Sequence, residues 1–372
     1  MRILLVAAPM VGHVLPHAPV ALALRAAGHE VLLATAADGV GAAHKAGIPV
    51  RDVAPGLTMG PLMIRSLLRH PLRIGRMVGG DEGTDGVGLL FASVNAAMAP
   101  ATVGLGDEWR PDLVLHEGLM PLGSLVAARL GVPAVLVDAL LFDARELHRA
   151  VAPHLARAAR RFGVAALPEP PEALVAVPPS LVGPRPGRPM RYVSAGSGGE
   201  LPEVLARPRA RPIVLVSRST VDDPRPDRLM TRVAEAATTA DLDVLLVRPD
   251  RAVLHRPLPS NVTTADWLPF ATVLPHVAGV VHPGGAGTLM SALVAGVPQL
   301  VVPGAGDRTR HARLIAERGA GLAVPLRDRD AAALERLAND SALRTAAGEV
   351  AAEIAAMPAP SEVVGTLAAL VG

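Results

Sequence analysis

Val280-Val-His-Pro-Gly-Gly-Ala-Gly-Thr288 reads as a short apolar strand running through a glycine-rich turn into a helix. Gly284, Gly285 and Gly287 let a backbone approach an anion, and the open amides and dipole of the following helix favour phosphate there. The Gly-Lys-Ser/Thr ending of a Walker loop is missing. Such turns are widespread, so this one takes its meaning from what surrounds it. A helix over Gly285–Ala295 leads to a strand over Gln299–Val302, a helix over Thr309–Arg318 and a strand over Gly321–Val324. Upstream, the strand Ile213–Ser217, the helix Asp227–Thr239 and the strand Asp243–Arg248 keep the same rhythm. The N-terminal half repeats it. Arg2–Ala8, Glu30–Thr35, Val50–Val53, Asp112–His116 and Ala134–Asp138 read as strands, with helices over Leu15–Ala27 (ended by Gly28) and Leu119–Leu130. Continuous apolar strands alternating with amphipathic helices indicate parallel sheets covered on both faces.

Two such series in 372 residues exceed what one hydrophobic core usually supports. The expected domains are residues 1–200 and 201–355, with 356–372 a C-terminal helix returning to the N-terminal domain. The Pro-, Gly- and Ser-rich stretch Pro178–Pro212 reads as the connection, centred on Ser194-Ala-Gly-Ser-Gly-Gly199. Gly56–Asp85 is less regular and reads either as a mobile loop or lid or as a surface excursion. Ala332–Gly372 reads as helices.

Half the residues are apolar and 19% are charged, a globular composition. Net charge is +2 and only seven residues are aromatic, which disfavours nucleic acid as a partner. Lys45 is the only lysine, so the high pI reflects arginine rather than a basic surface field. Apolar runs such as Ile3–Ala8 are short and interrupted, so no membrane partner is expected. The six-residue run at the N-terminus is too short for a signal peptide, and cysteine is absent, so a cytoplasmic location is expected.

In open parallel sheets ligands bind beyond the carboxyl ends of strands, and two such sheets would form a cleft between domains. The loops that follow strands are therefore the places for chemistry. Pro9-Met-Val-Gly-His13 sets an imidazole at a helix start, where the dipole favours the neutral form that a general base needs. A structural histidine is the competing reading. Pro303-Gly-Ala-Gly-Asp307-Arg308 either places a carboxylate and a guanidinium over one ligand or forms a surface turn with a capping Asp. No Gly-x-Gly-x-x-Gly follows either first strand, which disfavours a dinucleotide oxidoreductase.

Taken together, Asp266-Trp-Leu-Pro-Phe270, Val273-Leu-Pro-His276, Val281-His-Pro-Gly-Gly-Ala-Gly-Thr288, Ala292-Leu293, Ala295-Gly-Val-Pro-Gln299, Pro303 and Asp307 resemble the donor-binding signature of family 1 glycosyltransferases. Val11-Gly-His-Val-Leu-Pro16, Arg25-Ala-Ala-Gly-His-Glu-Val31, Arg110-Pro-Asp-Leu-Val114, Leu130-Gly-Val-Pro133 and Met190-Arg-Tyr-Val193 resemble the same family, so the likeness runs nearly end to end. It is closest to the actinobacterial enzymes that attach deoxysugars to polyketides and other natural products. The resemblance implies an α/β GT-B fold: two Rossmann-like doubly wound parallel-sheet domains with an interdomain cleft, the acceptor on the N-terminal one and the nucleotide sugar on the C-terminal one. It implies inverting, metal-independent transfer from a dTDP- or UDP-sugar, with no cofactor, to a small aromatic or macrocyclic acceptor. A homodimer is an admissible assembly. Asp241-Leu-Asp243 and Asp328-Arg-Asp330 match a metal-binding Asp-x-Asp in letters only and read as surface carboxylates.

Carried over by position, His13 would be the base and Glu117 the carboxylate that orients it. Trp267 would stack on the nucleobase, with the Leu268 backbone at the base edge. Ser217, Arg218, Ser219, His282, Gly284, Gly285, Gly287 and Thr288 would surround the diphosphate, and Asp307 and Arg308 the sugar. Met63, Asp138, Phe142 and Asp143 would line the acceptor pocket. Asp138 and Asp143 would also be candidate acids for C-transfer, so O- and C-transfer both stay open. Several positions depart from the family. Pro283 replaces the usual His before the paired glycines, Arg308 replaces Gln, His311 stands where Asn is frequent, and Ser217-Arg-Ser-Thr220 lacks the usual glycine. Either Arg218 or Arg308 replaces the missing imidazole at the diphosphate, or the donor site has decayed in a repurposed or non-catalytic GT-B protein of a natural-product pathway, an auxiliary subunit or one with other chemistry.

Overall fold

The computed structural model describes residues 1–79, 83–194, 199–207, 210–218, 228–304, 306–325 and 330–371. Two compact units emerge. The first comprises Met1–Pro179, Pro184–Tyr192 and Met357–Gly372, the second Ser180–Gly183 and Val193–Ala356.

The first unit carries β1 (Arg2–Val6), β2 (Glu30–Thr35), β3 (Val50–Asp52), β4 (Leu113–His116), β5 (Ala134–Asp138), β6 (Glu172–Val175) and β7 (Arg188–Pro189). They form one sheet in the order β3-β2-β1-β4-β5-β6-β7, every neighbouring pair parallel. β1 shows why this strand is apolar throughout. Ile3, Leu5 and Ala7 enter one core cluster while Leu4, Val6 and Ala8 enter another, so both faces are covered by helices. Val363, Val364 and Leu367, at the C-terminal helix Val364–Ala368, pack into the first of these clusters.

The second unit carries β8 (Ile213–Ser217), β9 (Asp243–Val247), β10 (Val262–Ala265), β11 (Gly279–His282), β12 (Gln299–Val301) and β13 (Gly321–Ala323). Their order is β10-β9-β8-β11-β12-β13, again all parallel. Val214 and Val216 of β8 face one cluster, Ile213 and Leu215 the other. Both units are therefore doubly wound, Rossmann-like sheets. In each, the strand order reverses at one place, between β1 and β4 and between β8 and β11. The loops after those strands splay to opposite faces and leave a crevice at the carboxyl edge.

Three expectations need correction. The helix expected over Leu15–Ala27 is broken up: a turn at Val11–Val14, a 3₁₀ turn at Leu15–His17, and then the helix Ala18–Ala26, with Pro16 and Pro19 at the starts of the last two. Within Gly56–Asp85, Met59–Arg69 and Pro71–Val78 are helices rather than loop, the second starting on Pro71. The connecting stretch Pro178–Pro212 supplies β7 to the first sheet and the turn Glu203–Ala206 to the second unit; residues 195–198, its glycine-rich centre, lie outside the described residues.

One long helix, Asp85–Trp109, had no counterpart in the strand–helix reading. Among the described residues it alone is long and apolar enough to cross a membrane by length and composition. Its Leu90, Phe91, Val94 and Met98 instead belong to the core of the first unit.

Candidate active site

The crevice between β1 and β4 holds the pair expected from the sequence. His13 lies in the short turn after β1 and Glu117 directly follows β4. His13 Nδ1 stands 2.6 Å from Glu117 Oε2, and the other carboxylate oxygen accepts the Ala8 N–H at 2.6 Å. A carboxylate can only accept, so Nδ1 carries the proton and the ring lone pair lies on Nε2. The Glu117 side chain is 3% exposed and that of His13 18%, so the acid is hidden and the imidazole reaches the surface. Burial pushes the Glu117 carboxyl up. The electrostatic pull and hydrogen bond of the His13 imidazole, the nearby His17 imidazole and the Ala8 amide outweigh it and hold the carboxyl below its usual range.

Several residues that the sequence reading did not single out build this corner. Thr35 Oγ1 donates to the Ala8 carbonyl at 3.1 Å. His17 Nδ1 donates to the His13 carbonyl at 2.8 Å; burial lowers its pKa, so it is neutral. Behind Glu117, His116 Nδ1 donates to the Glu117 carbonyl at 2.9 Å, and its Nε2 accepts from Ser124 Oγ at 3.0 Å. Ser124 Oγ in turn accepts from His148 Nε2 at 3.2 Å. Burial drives His116 down to about 3 and His148 to about 4, so this chain is uncharged. Asn95, from the long helix, donates to the Leu119 carbonyl and accepts the Leu122 N–H, pinning the turn after Glu117. A Cβ at Gly118 would strike the Ala144 carbonyl, so only glycine fits beside Glu117.

The acceptor candidates divide. Met63 and Phe142 are half-buried against the core of the first unit. Asp138 and Asp143 are corrections. Arg185 Nη1 donates to Asp138 Oδ1 at 2.7 Å, and the side chains of this pair are 5% and 4% exposed. Burial, against the pull of Arg185, raises Asp138 to about 6. The same guanidinium also holds the carbonyls of Leu140, Leu141 and Phe142. Asp143 caps the helix Ala144–Val151, accepting from the amides of Arg145 and Glu146. Asp138 is therefore held by a buried guanidinium, and Asp143 Oδ1 by the amides of a helix cap.

In the second unit, the glycine-rich turn follows β11 and caps the helix Ala286–Val294 with Gly285. His282 was expected at the diphosphate; it is fully buried and turned into the sheet. Its Nε2 donates to Gln299 Oε1 at 2.8 Å and its Nδ1 accepts the Gly284 N–H at 3.1 Å, with its pKa lowered by burial to about 4. The Gly284 carbonyl accepts from His311 Nδ1 at 2.6 Å. Gly284 is thus also a correction. Both its backbone groups are committed, and its role is the tight turn itself, at φ +90° with Arg308 Cα 3.2 Å from where a Cβ would stand. What remains for an anion is the first helical turn. Gly285 and Gly287 are exposed, a Cβ at either would meet nothing within 4 Å, and Thr288 is half-buried. Amides of a first helical turn have no acceptor within their helix.

The neighbouring loops bring the other candidates. Asp307 is exposed at the N-cap of the helix Arg308–Arg318 but makes no capping bond, so the reading of a merely capping Asp does not hold. Arg308 lies against Gly284 and Gly304. Trp267 is 72% exposed, while Leu268 is buried in the core. Ser217, at the end of β8, turns its hydroxyl to the Arg218 carbonyl. Ser219 lies outside the described residues, as does Asp328. Asp243 opens β9, at the edge away from the ligand side, and pairs with Arg211 at 2.8 Å; Asp330 caps the helix Ala331–Asn339.

Comparison with known proteins gives a consistent result. Residues 231–370 match the family described as erythromycin biosynthesis protein CIII-like, C-terminal domain. The chain is 35% identical to the elloramycin glycosyltransferase of Streptomyces olivaceus, over 99% of this chain and 97% of the relative. It superposes on the glycosyltransferase SnogD from Streptomyces nogalater with a TM-score of 0.84 at 30% identity, covering 100% and 99% of the two chains. A glycosyltransferase from Streptomyces sp. SF2575, solved with thymidine diphosphate, gives 0.82 at 28% identity and 99% coverage of both. These neighbours share the GT-B fold.

Proposed function

This chain belongs to the glycosyltransferases of deoxysugar natural-product pathways, and from that premise we propose that it moves a deoxysugar from dTDP to a hydroxyl of an antibiotic aglycone with inversion at the anomeric carbon. The observation that carries the proposal is the 2.6 Å contact of His13 with Glu117 at the switch point of the first sheet. His13 Nε2 takes the proton of the acceptor hydroxyl, and Glu117 stabilises the imidazolium that forms. The hydroxyl oxygen attacks C1 of the sugar from the face opposite dTDP. The new C–O bond forms as the bond from C1 to the β-phosphate oxygen breaks, and the electron pair leaves on the diphosphate. The first-turn amides of Gly285, Ala286 and Gly287 receive that charge, helped by the dipole of the helix Ala286–Val294. Arg308, packed on the same turn, adds a cation where Pro283 offers neither imidazole nor N–H. The exposed Trp267 ring offers a face to thymine, and a bound thymidine diphosphate in a neighbour supports dTDP over UDP. The hydrogen bonds of Asp138 to Arg185 and of Asp143 Oδ1 to its helix cap support O-transfer over C-transfer.

Thermal unfolding with and without dTDP tests the donor half. At a hundredfold excess over Kd the nucleotide should stabilise the protein by about 2.7 kcal/mol. No shift would favour a repurposed protein that binds the aglycone alone. For the acceptor half, His13→Ala should lower turnover by roughly 10²–10⁴-fold with dTDP affinity unchanged.

A further inference from the structure

His311 occupies a place the proposed reaction does not use. It is 1% exposed, inside the helix Arg308–Arg318, and its two ring nitrogens face two different parts of the donor region. Nδ1 meets the Gly284 carbonyl at 2.6 Å. A carbonyl only accepts, so Nδ1 carries a proton. Nε2 stands 3.6 Å from Asp307 Oδ2, beyond a direct hydrogen bond, and attracts that carboxylate when the ring carries both protons. On the opposite side of the turn, the Gly284 N–H is held by His282 Nδ1, itself fixed through Gln299, whose Nε2 donates to the Leu289 carbonyl. Gly284 is thus clamped through both its backbone groups by two buried imidazoles. Only one of them also reaches the loop that carries Asp307.

We infer that His311 is a positioning residue for the donor: a single imidazole fixes the diphosphate turn through Gly284 and stations the Asp307 carboxylate, so it sets the spacing between the diphosphate and sugar subsites. The inference rests on the donor reading above. It goes further in giving a part in sugar binding to a buried residue behind the donor turn. Thr309 Oγ1, donating to the Gly304 carbonyl at 2.9 Å from the same helix, steadies the loop between the two subsites. One helix therefore references both subsites.

A merely structural histidine and a positioning one differ in what they do to the sugar increment, the ratio of the Kd for dTDP to the Kd for dTDP-glucose. Calorimetry on the wild type, Asp307→Asn, His311→Leu, His311→Asn and the Asp307→Asn/His311→Leu double variant measures it. Asp307→Asn and His311→Leu should each lower the ratio by about tenfold, and the double variant should lose no more than either alone. His311→Asn, which keeps a donor near Gly284 but shortens the reach to Asp307, should hold dTDP affinity within about threefold and still lose the increment. It also serves if His311→Leu does not fold. Additive losses, a ratio unchanged in the His311 variants, or a wild-type ratio of one would each overturn the assignment. A wild type that binds neither ligand would instead overturn the transferase reading beneath it.

Discussion

The proton on His13 Nδ1 is set by Glu117, and with it the side of the ring that can act as a base. Both residues were legible in the sequence because each stands at the end of an apolar strand, where a parallel sheet opens to ligand. Asp138 and Asp143 satisfied the same positional rule, but their hydrogen-bond partners could not be read from it. Their partners, Arg185 and the amides of Arg145 and Glu146, take up the carboxylates, and Arg185 lies 47 residues from Asp138. A side chain's position along the chain is readable; whether its charge is already spent on a neighbour is not. Trp267 gives a clean prediction at this scale. Its ring is 72% exposed, so Trp267→Ala should leave the melting temperature unchanged. Loss of one base–aromatic stack should weaken dTDP binding by about tenfold or more, read by calorimetry. Unchanged affinity would place the nucleobase elsewhere.

The turn between β11 and the helix Ala286–Val294 shows how one element divides labour among similar residues. Gly284 adopts φ +90° and lies against Arg308, whereas the Cβ positions of Gly285 and Gly287 open to space. Gly284→Ala should therefore cost about 1–3 kcal/mol of stability through backbone strain and crowding. Gly287→Ala should leave stability unchanged or slightly raised, since alanine suits a helix better. Both should weaken dTDP binding, Gly284→Ala by distorting the turn and Gly287→Ala by placing a methyl among the first-turn amides. Urea unfolding and dTDP titration of the two variants check the split; equal stability losses would show that the glycines share one role. From the sequence, the glycines read as one phosphate cradle. The structure separates a residue that shapes the turn from residues that face outward. The long helix Asp85–Trp109 escaped the reading because it lies between β3 and β4 as an almost wholly apolar stretch, lacking the polar stripe that marks a surface helix.

For the molecule as a whole, buried histidines govern the response to acid. His17, His116 and His148 in the first unit and His282 in the second all have pKa values pushed below 6.5 by burial, the last three to about 3, 4 and 4. Each must lose a proton to fold. Their contribution is therefore fully present above pH 6.5 and is lost as pH falls below it, for His116, His148 and His282 down to about 4 at about 1.4 kcal/mol per pH unit each. The first unit holds three of the four, so thermal unfolding that is one transition at pH 7.5 should divide near pH 5, with the first unit melting earlier. A melting temperature flat between pH 7 and 5 would contradict these neutral, buried states. Sequence alone determined the alternation of strand and helix and the two parallel sheets, because burial on both sheet faces writes continuous apolar runs. Tertiary structure alone decided which polar groups in the loops after the strands remain open to a ligand. Hydrogen bonds such as Asp138–Arg185 and His311–Gly284 join residues tens of positions apart, and nothing in the local pattern of either partner records that the other is there.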